Sequence, residues 1–307
     1  MKVAVQDLAG VVPVAARAET PFHRFVVEFT ENKVAVGATI VFAVMFLLAV
    51  FCPYVSPTDP YDLMQLSILD STQPPGGKSM TGMTFLLGSD GQGRDMLSAI
   101  FYGLRTSLFV GVASGILGLM VGMFFGLVSA YFGGRIDSFI MRVVDIQLSF
   151  PSILVALILL AILGQGVDKI IVALVVAQWA QYCRVVRASG LVERSKEYME
   201  AAHCLALSRV SVLFRHLLPN CMPPLIVFGT VQIAHAITLE ATLSFLGLGL
   251  PPTEPSLGLL ISNGFEYMLS GRYWISFYPG IALLITIVSI NLMGDQLRDV
   301  LNPRLSR

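Results

Sequence analysis

An all-α, polytopic membrane protein with six transmembrane helices is the fold class this sequence predicts, and three observations predict it. The 307 residues are 55% hydrophobic and 13% charged, about half the usual charged share, with a mean hydropathy of +0.75. Such a chain must hide its apolar surface in lipid rather than in a single core. Six stretches are apolar enough to cross a hydrocarbon layer, which takes about 20 residues at 1.5 Å rise each. Lysine and arginine then fall unevenly on the two sides that six crossings define.

The expected spans cover 34–55, 106–132, 146–167, 170–183, 221–239 and 274–294. The fourth is short, and Arg184 and Arg187 would have to snorkel toward the headgroups to complete it. Lys78, Arg94, Arg105, Lys169 and Arg272 fall on one side, and the other 15 of the 20 basic residues share a side with both termini. That excess places both termini and the 189–220 loop in the cytoplasm and the 56–103 loop outside.

Ahead of the first span, Phe22, Phe25, Val26 and Phe29 recur at helical spacing with Arg24, Glu28 and Glu31 on other faces. This is an amphipathic helix, lying along the inner membrane surface or simply leading into the span. In the second span, Gly111, Gly115, Gly118, Gly122 and Gly126 share one face, across which another backbone can approach closely. The partner is either a span of this chain or a second membrane subunit. A secretory signal is not expected, because Asp7 interrupts the weak apolar run before Ala16-Arg-Ala18.

Basic residues are dispersed and net charge is zero, which excludes a nucleic-acid footprint. Cys52, Cys183, Cys204 and Cys221 have no metal-site spacing, so neither a disulfide nor a bound metal is expected. Pro75-Gly-Gly-Lys-Ser79 imitates a phosphate-binding loop, but Thr72 stands where that loop requires glycine. With no nucleotide-binding or hydrolytic motif, the chain is expected to be no enzyme and to bind no cofactor; any energy must come from a partner.

One polar block lies between hydrophobic spans: Glu197-Tyr-Met-Glu-Ala-Ala-His-Cys-Leu-Ala206, followed by Phe214-Arg-His-Leu-Leu-Pro-Asn220. Its Glu200-Ala201-Ala202, with Leu218-Pro-Asn220 downstream, resembles the cytoplasmic loop by which permease subunits of ABC importers grip their ATPases. Three further motifs occur in order: Leu87-Gly-Ser-Asp-Gly-Gln-Gly-Arg-Asp95, Leu243-Ser-Phe-Leu-Gly-Leu-Gly-Leu-Pro-Pro252, and Asn291-Leu-Met-Gly-Asp-Gln-Leu-Arg-Asp-Val-Leu-Asn-Pro303. Together they resemble the C-type permeases of dipeptide, oligopeptide and nickel importers, over nearly everything from Pro21 to Arg304.

The resemblance implies the type I importer permease fold in a bacterial inner membrane. It implies a second, B-type permease, two ATPase subunits that bind ATP and magnesium, a periplasmic solute-binding protein, and a peptide or chelated nickel as substrate. It divides the chain into a cytoplasmic segment (1–33), a first span with its periplasmic loop (34–103), a permease domain (104–300) and a tail (301–307). Two positions depart from the family pattern: Ala206 stands where glycine is usual, and Leu257 where tryptophan is common.

Within the loop, Ser195 suits a helix cap, Glu197 complements the helix dipole, Ala201 and Ala202 leave a low docking surface, and Glu200 offers an ionic contact. A second short helix is expected from Ser208 to just before Pro219, with Val210, Leu213, Phe214 and Leu217 facing the membrane domain and Arg215, Leu218, Pro219 and Asn220 completing the contact. In the fifth span, Gln232, His235, Thr238 and Thr242 form a polar stripe that either lines the translocation path or bonds neighbouring helices. Glu240 is expected at the outer end of that span, with a re-entrant or interfacial loop over 245–252. Asp295 and Arg298 stand one turn apart and can pair. The rival reading is a proton-driven secondary transporter relaying charge through His235 and Glu240.

Overall fold

The computed structural model describes residues 21–62 and 66–301. The Ala16-Arg-Ala18 segment, the Asn302-Pro303 end of the last motif and the side chain of Phe22 lie outside the described set.

Helix α1 (Pro21–Glu31) is the expected amphipathic helix, with Phe25 and Phe29 stacked at 6.1 Å. Asn32 ends it and starts α2 (Lys33–Val50), its Oδ1 accepting from the Val34 and Ala35 amides while its Nδ2 donates to Gln296. The first span stops short of 55 because Pro53 has no N–H to extend the ladder. A separate turn, α3 (Cys52–Val55), begins there.

The loop that follows is ordered by polar side chains. It carries a small antiparallel hairpin, β1 (Gly77–Lys78) with β2 (Thr84–Phe85), and a single antiparallel bridge between Ser89 and Asp95, which depart from the expected helix-only structure. Pro75 to Ser79 lie at this hairpin and open no helix, unlike a phosphate-binding loop. Asp70 accepts from Ser79 Oγ and the Met80 amide, and Asp90 forms a buried ion pair with Arg94 at 2.6 Å. Asp95 then caps the next helix through the Ser98 amide at 2.8 Å.

That helix, α4 (Met96–Phe132), is 37 residues long, ten more at its start than the expected span. Its glycine face settles on this chain. A Cβ at Gly111 or Gly115 would meet Ile237 or Ile233, and one at Gly122 or Gly126 would lie 2.6 Å from the Trp179 carbonyl or 2.7 Å from that of Cys183.

Gly133 and Gly134, both with positive φ, turn the chain into α5 (Gly134–Leu148), and Pro151 separates α5 from α6 (Ser152–Leu163) by a bend of 85°. The expected third span is therefore a broken pair. Twelve residues of α6 rise only about 18 Å, too little to cross alone. Helix α7 (Val167–Arg194) is longer than the expected fourth span. Near its end Arg184 pairs with Asp145, and Arg187 makes a bidentate pair with Asp137.

After the short α8 (Glu197–Cys204), the chain forms α9 (Arg209–Ser211), a π turn (Val212–Leu217) and α10 (Leu218–Phe245), which run as one continuous 37-residue helix. The expected break before Pro219 is absent. Proline there removes one amide from the ladder, and the π register absorbs the loss, with the Leu218 amide reaching back to Leu213. The glycine-rich turn after α10 leads to α11 (Leu257–Phe265), a half-helix that the sequence reading did not foresee. Gly258 sits against the Ala241 backbone of α10, and Gly264 against Ile275 and Ser276 of α12 (Trp274–Leu301). Leu257, at the start of α11, is fully buried. Among the described residues no ion pair joins Asp295 to Arg298; their neighbour Gln296 instead bonds Asn32 and the Glu28 carbonyl.

Candidate coupling surface and translocation path

At one end of the bundle, α8 is seated rather than suspended. Met199 and Ala202 are buried with Leu127 of α4, Val186 of α7, and Val212, Leu217 and Cys221 of the long helix. The same turn is tied to α7 by polar contacts. Tyr198 donates to Glu193 at 2.9 Å, Lys196 pairs with the same carboxylate at 2.6 Å, and Asn220 hydrogen-bonds Tyr198 as well as the His216 carbonyl. Burial and the Glu193 carboxylate push the Tyr198 phenol up to about 12, so it remains a donor.

The two halves of the motif therefore meet through Tyr198. Glu197, Glu200 and Ala201 face outward, whereas Ala202 points in, which corrects the expectation that both alanines form the docking surface. Ser195 does not cap α8; its hydroxyl turns back to the Val192 carbonyl. The π turn also corrects the second half of the loop. Val212 and Leu217 are buried while Val210 and Phe214 are 66% and 55% exposed, because the π register rotates side chains away from ideal α spacing. Arg215, Pro219 and Asn220 are exposed, and Leu218 is partly buried.

Ala206 adopts φ +49°, the left-handed conformation that glycine accepts most easily. The Leu207 amide reaches the Ala202 carbonyl, closing α8 in the manner of a Schellman cap. The exposed rim beyond it is apolar, with Leu205 73% exposed.

The polar stripe divides. Gln232 is buried and donates to Gln181 at 2.7 Å, so it bonds a neighbouring helix and does not face an opening. His235 and Thr238 are exposed and Thr242 partly so, leaving one open polar face on α10; both threonine hydroxyls bond their own helix backbone. Glu240 lies near the end of α10, which closes at Phe245. It is fully buried, accepts from Ser107 and Ser244 at 2.7 Å each, and also hydrogen-bonds Ser256 at the cap of α11. The carboxylate thus binds α4, α10 and α11 together. No hydrogen bond links it to His235.

Sequence reasoning missed two charge pairs that organise the molecule, Asp90–Arg94 and Asp137–Arg187. The available signal was the presence of charges of both signs where spans were expected or adjacent.

Comparison with known proteins agrees with this architecture. Residues 118–307 match the family described as binding-protein-dependent transport system inner membrane component, and residues 20–75 match the N-terminal transmembrane domain of oligopeptide transport permease C. The chain is 35% identical over 286 residues to the di/tripeptide transport system permease protein DppC of Pseudomonas aeruginosa, covering 93% of each. It is 34% identical to the dipeptide transport system permease protein DppC of Haemophilus influenzae, covering 96% of this chain and 99% of that one. A chain of the inward-facing MetNI methionine ABC transporter shares the fold, with a TM-score of 0.55 at 20% identity over 67% of this chain and 98% of that chain. Long apolar helices and these matches lead to one conclusion: the chain belongs to the family of binding-protein-dependent transport system inner membrane components, the membrane permease subunits of ABC importers, which are not themselves enzymes.

Proposed function

We propose that this chain is the C-type permease of an ATP-driven peptide importer and that, with a B-type permease, it forms the path for di- or oligopeptides across the inner membrane. Identity to peptide permeases along nearly the whole chain supports the substrate class. Two ATPase subunits, binding ATP and magnesium, dock on the outward face of α8 through Glu197, Glu200 and Ala201, with Arg215 and the apolar rim around Leu205 and Ala206 beside it. A periplasmic solute-binding protein delivers the peptide at the opposite end, near α11.

The single observation that carries the coupling role is the seating of α8. Its inner residues are packed against α4, α7 and the long helix, so a displacement of α8 moves those helices. Closure of the ATPases on nucleotide would favour one of two permease conformations, and hydrolysis would release it. The open face bearing His235, Thr238 and Thr242 lines the path in this reading. Both termini are cytoplasmic, with 1–33, 34–103, 104–300 and 301–307 as the functional divisions.

Glu200→Lys tests the coupling. The side chain is exposed, so membrane insertion should persist while co-purification of the ATPases is lost. Full recovery of the ATPases with this variant would refute the assignment. Topology is tested with cysteine at Met80, which is 73% exposed in the loop, in a cysteine-free background. An impermeant thiol reagent should label it from outside; labelling only from the cytoplasmic side would invert the arrangement.

A further inference from the structure

At the end of the membrane domain opposite α8, the start of α4, the loop before it and the turn after α10 enclose a cavity of about 720 Å³. Tyr61, Gln92, Arg94, Tyr102, Arg105 and Glu254 stand in its wall. A second hollow of about 370 Å³ lies along α4 toward α2, walled by Phe46, Ala49, Leu108, Val112, Ala113 and Ile116. Arg105 and Phe109 line both, so a polar hollow and an apolar one adjoin at these two side chains.

The polar head contains an unmet demand. Arg94 is only 2% exposed, and its Nε is held by Asp90, yet its Nη2 has no hydrogen-bond partner. That N–H has no accessible surface, so it acts on a ligand in the cavity by its charge and not by direct contact. Arg105 stands where the uncharged run of α4 begins, at headgroup depth, and Tyr61 and Tyr102 meet edge to face at 5.3 Å beside it, as aromatic rings do at a membrane interface.

We propose that this composite site holds one zwitterionic phospholipid, with its phosphate on Arg105 beside the buried Arg94, its ammonium toward Glu254, and an acyl chain in the hollow between α2 and α4. Arginine is the side chain best suited to phosphate oxygens. Asp90 already offsets Arg94, and Asp59 and Glu254 both act beside Arg105, so the head region carries no net positive charge and matches a zwitterion better than an anionic lipid. A water-soluble solute would satisfy the polar head but leave the apolar hollow unfilled. The assignment to the outer leaflet rests on the topology proposed above. Lipid retention does not depend on which leaflet supplies the lipid, so failure of one reading is separable from failure of the other.

The test uses the whole importer complex, reconstituted with equal phosphatidylethanolamine and phosphatidylglycerol and then stripped stepwise in detergent, with retained lipid counted by native mass spectrometry. One phosphatidylethanolamine per complex should outlast the rest. Arg105→Gln, at an exposed side chain, and Ala113→Trp, which fills the hollow, should each lower its retention roughly tenfold, as loss of a charged phosphate contact or of the tail site requires. Glu254→Gln should erase the preference for the ethanolamine lipid. Subunit recovery and thermal stability monitor folding of each variant. Retention in the bulk lipid ratio, retention indifferent to both Arg105→Gln and Ala113→Trp in folded complexes, or cross-linking of a cysteine at 113 to the second permease would overturn the proposal.

Discussion

Replacing Ala206 by glycine should strengthen the end of α8. At φ +49° the alanine Cβ crowds the following backbone, and relieving that strain is worth about 1 kcal/mol, partly offset by the extra freedom glycine gives the unfolded chain. The hydrogen bond that closes the cap, from the Leu207 amide to the Ala202 carbonyl, is retained. A gain of 1 kcal/mol corresponds to about a fivefold change in a local opening constant. Hydrogen exchange followed by mass spectrometry on reconstituted protein should therefore show amides near Leu205 and Leu207 exchanging up to about fivefold more slowly. Ala201→Gly is the control of opposite sign: it lies inside the helix with ordinary backbone angles, and glycine there should speed exchange of α8 by a similar factor. Unchanged or faster exchange in Ala206→Gly would refute the assignment of strain to this turn.

Gly126→Leu should force α4 from α7, because even a Cβ would lie 2.7 Å from the Cys183 carbonyl; overpacking of about 1–3 kcal/mol or more should appear as a lowered midpoint in detergent thermal denaturation. Arg187→Gln leaves Asp137 without its bidentate partner, and the resulting loss of about 1–3 kcal/mol, discounted for partial exposure, should be largely recovered in the double variant with Asp137→Asn. Glu240→Ala should leave Ser107 and Ser244 without their acceptor and loosen α11, read as faster exchange over 256–265, whereas Glu240→Gln should have a smaller effect. Burial raises the Asp95 carboxyl above its ordinary range, so the native protein holds a proton that the unfolded chain has released. Its stability contribution should fall as pH rises through the window between the ordinary and the raised value, and Asp95→Asn should flatten that slope in pH-dependent denaturation.

Elements with a strong local signal were legible in the sequence. The amphipathic spacing of Phe25, Val26 and Phe29 gave α1, and the long uncharged runs gave α2, α4 and α12. Legibility failed where tertiary contacts override composition. Charges at Arg184, Arg187, Asp137 and Asp145 argue against burial until they pair, so α7 was read short and α5 was not separated from α6. Pro219 reads as a helix stop, but the π turn carries the chain past it. The half-helix α11 follows prolines and glycines, and only its packing between α10 and α12 makes nine residues a stable helix. The exposed acids of α8 could be picked out in advance, but the inward turn of Ala202 and Gln232 could not, since the facing of each depends on partners distant in sequence.

The π turn has a geometrical consequence for the whole of α10. A π segment accommodates one residue more than the α register allows, and each α residue advances the helix by about 100° and 1.5 Å. The six residues from Val212 to Leu217 therefore act as an index that fixes the azimuth of everything beyond them. If those residues took α geometry with none removed, His235, Thr238 and Thr242 would turn by more than a quarter revolution relative to α8, whereas a one-residue deletion that restored α geometry would leave their azimuth nearly unchanged. The direction in which the polar face looks is thus set some 20 residues away, beside the surface assigned to the ATPases.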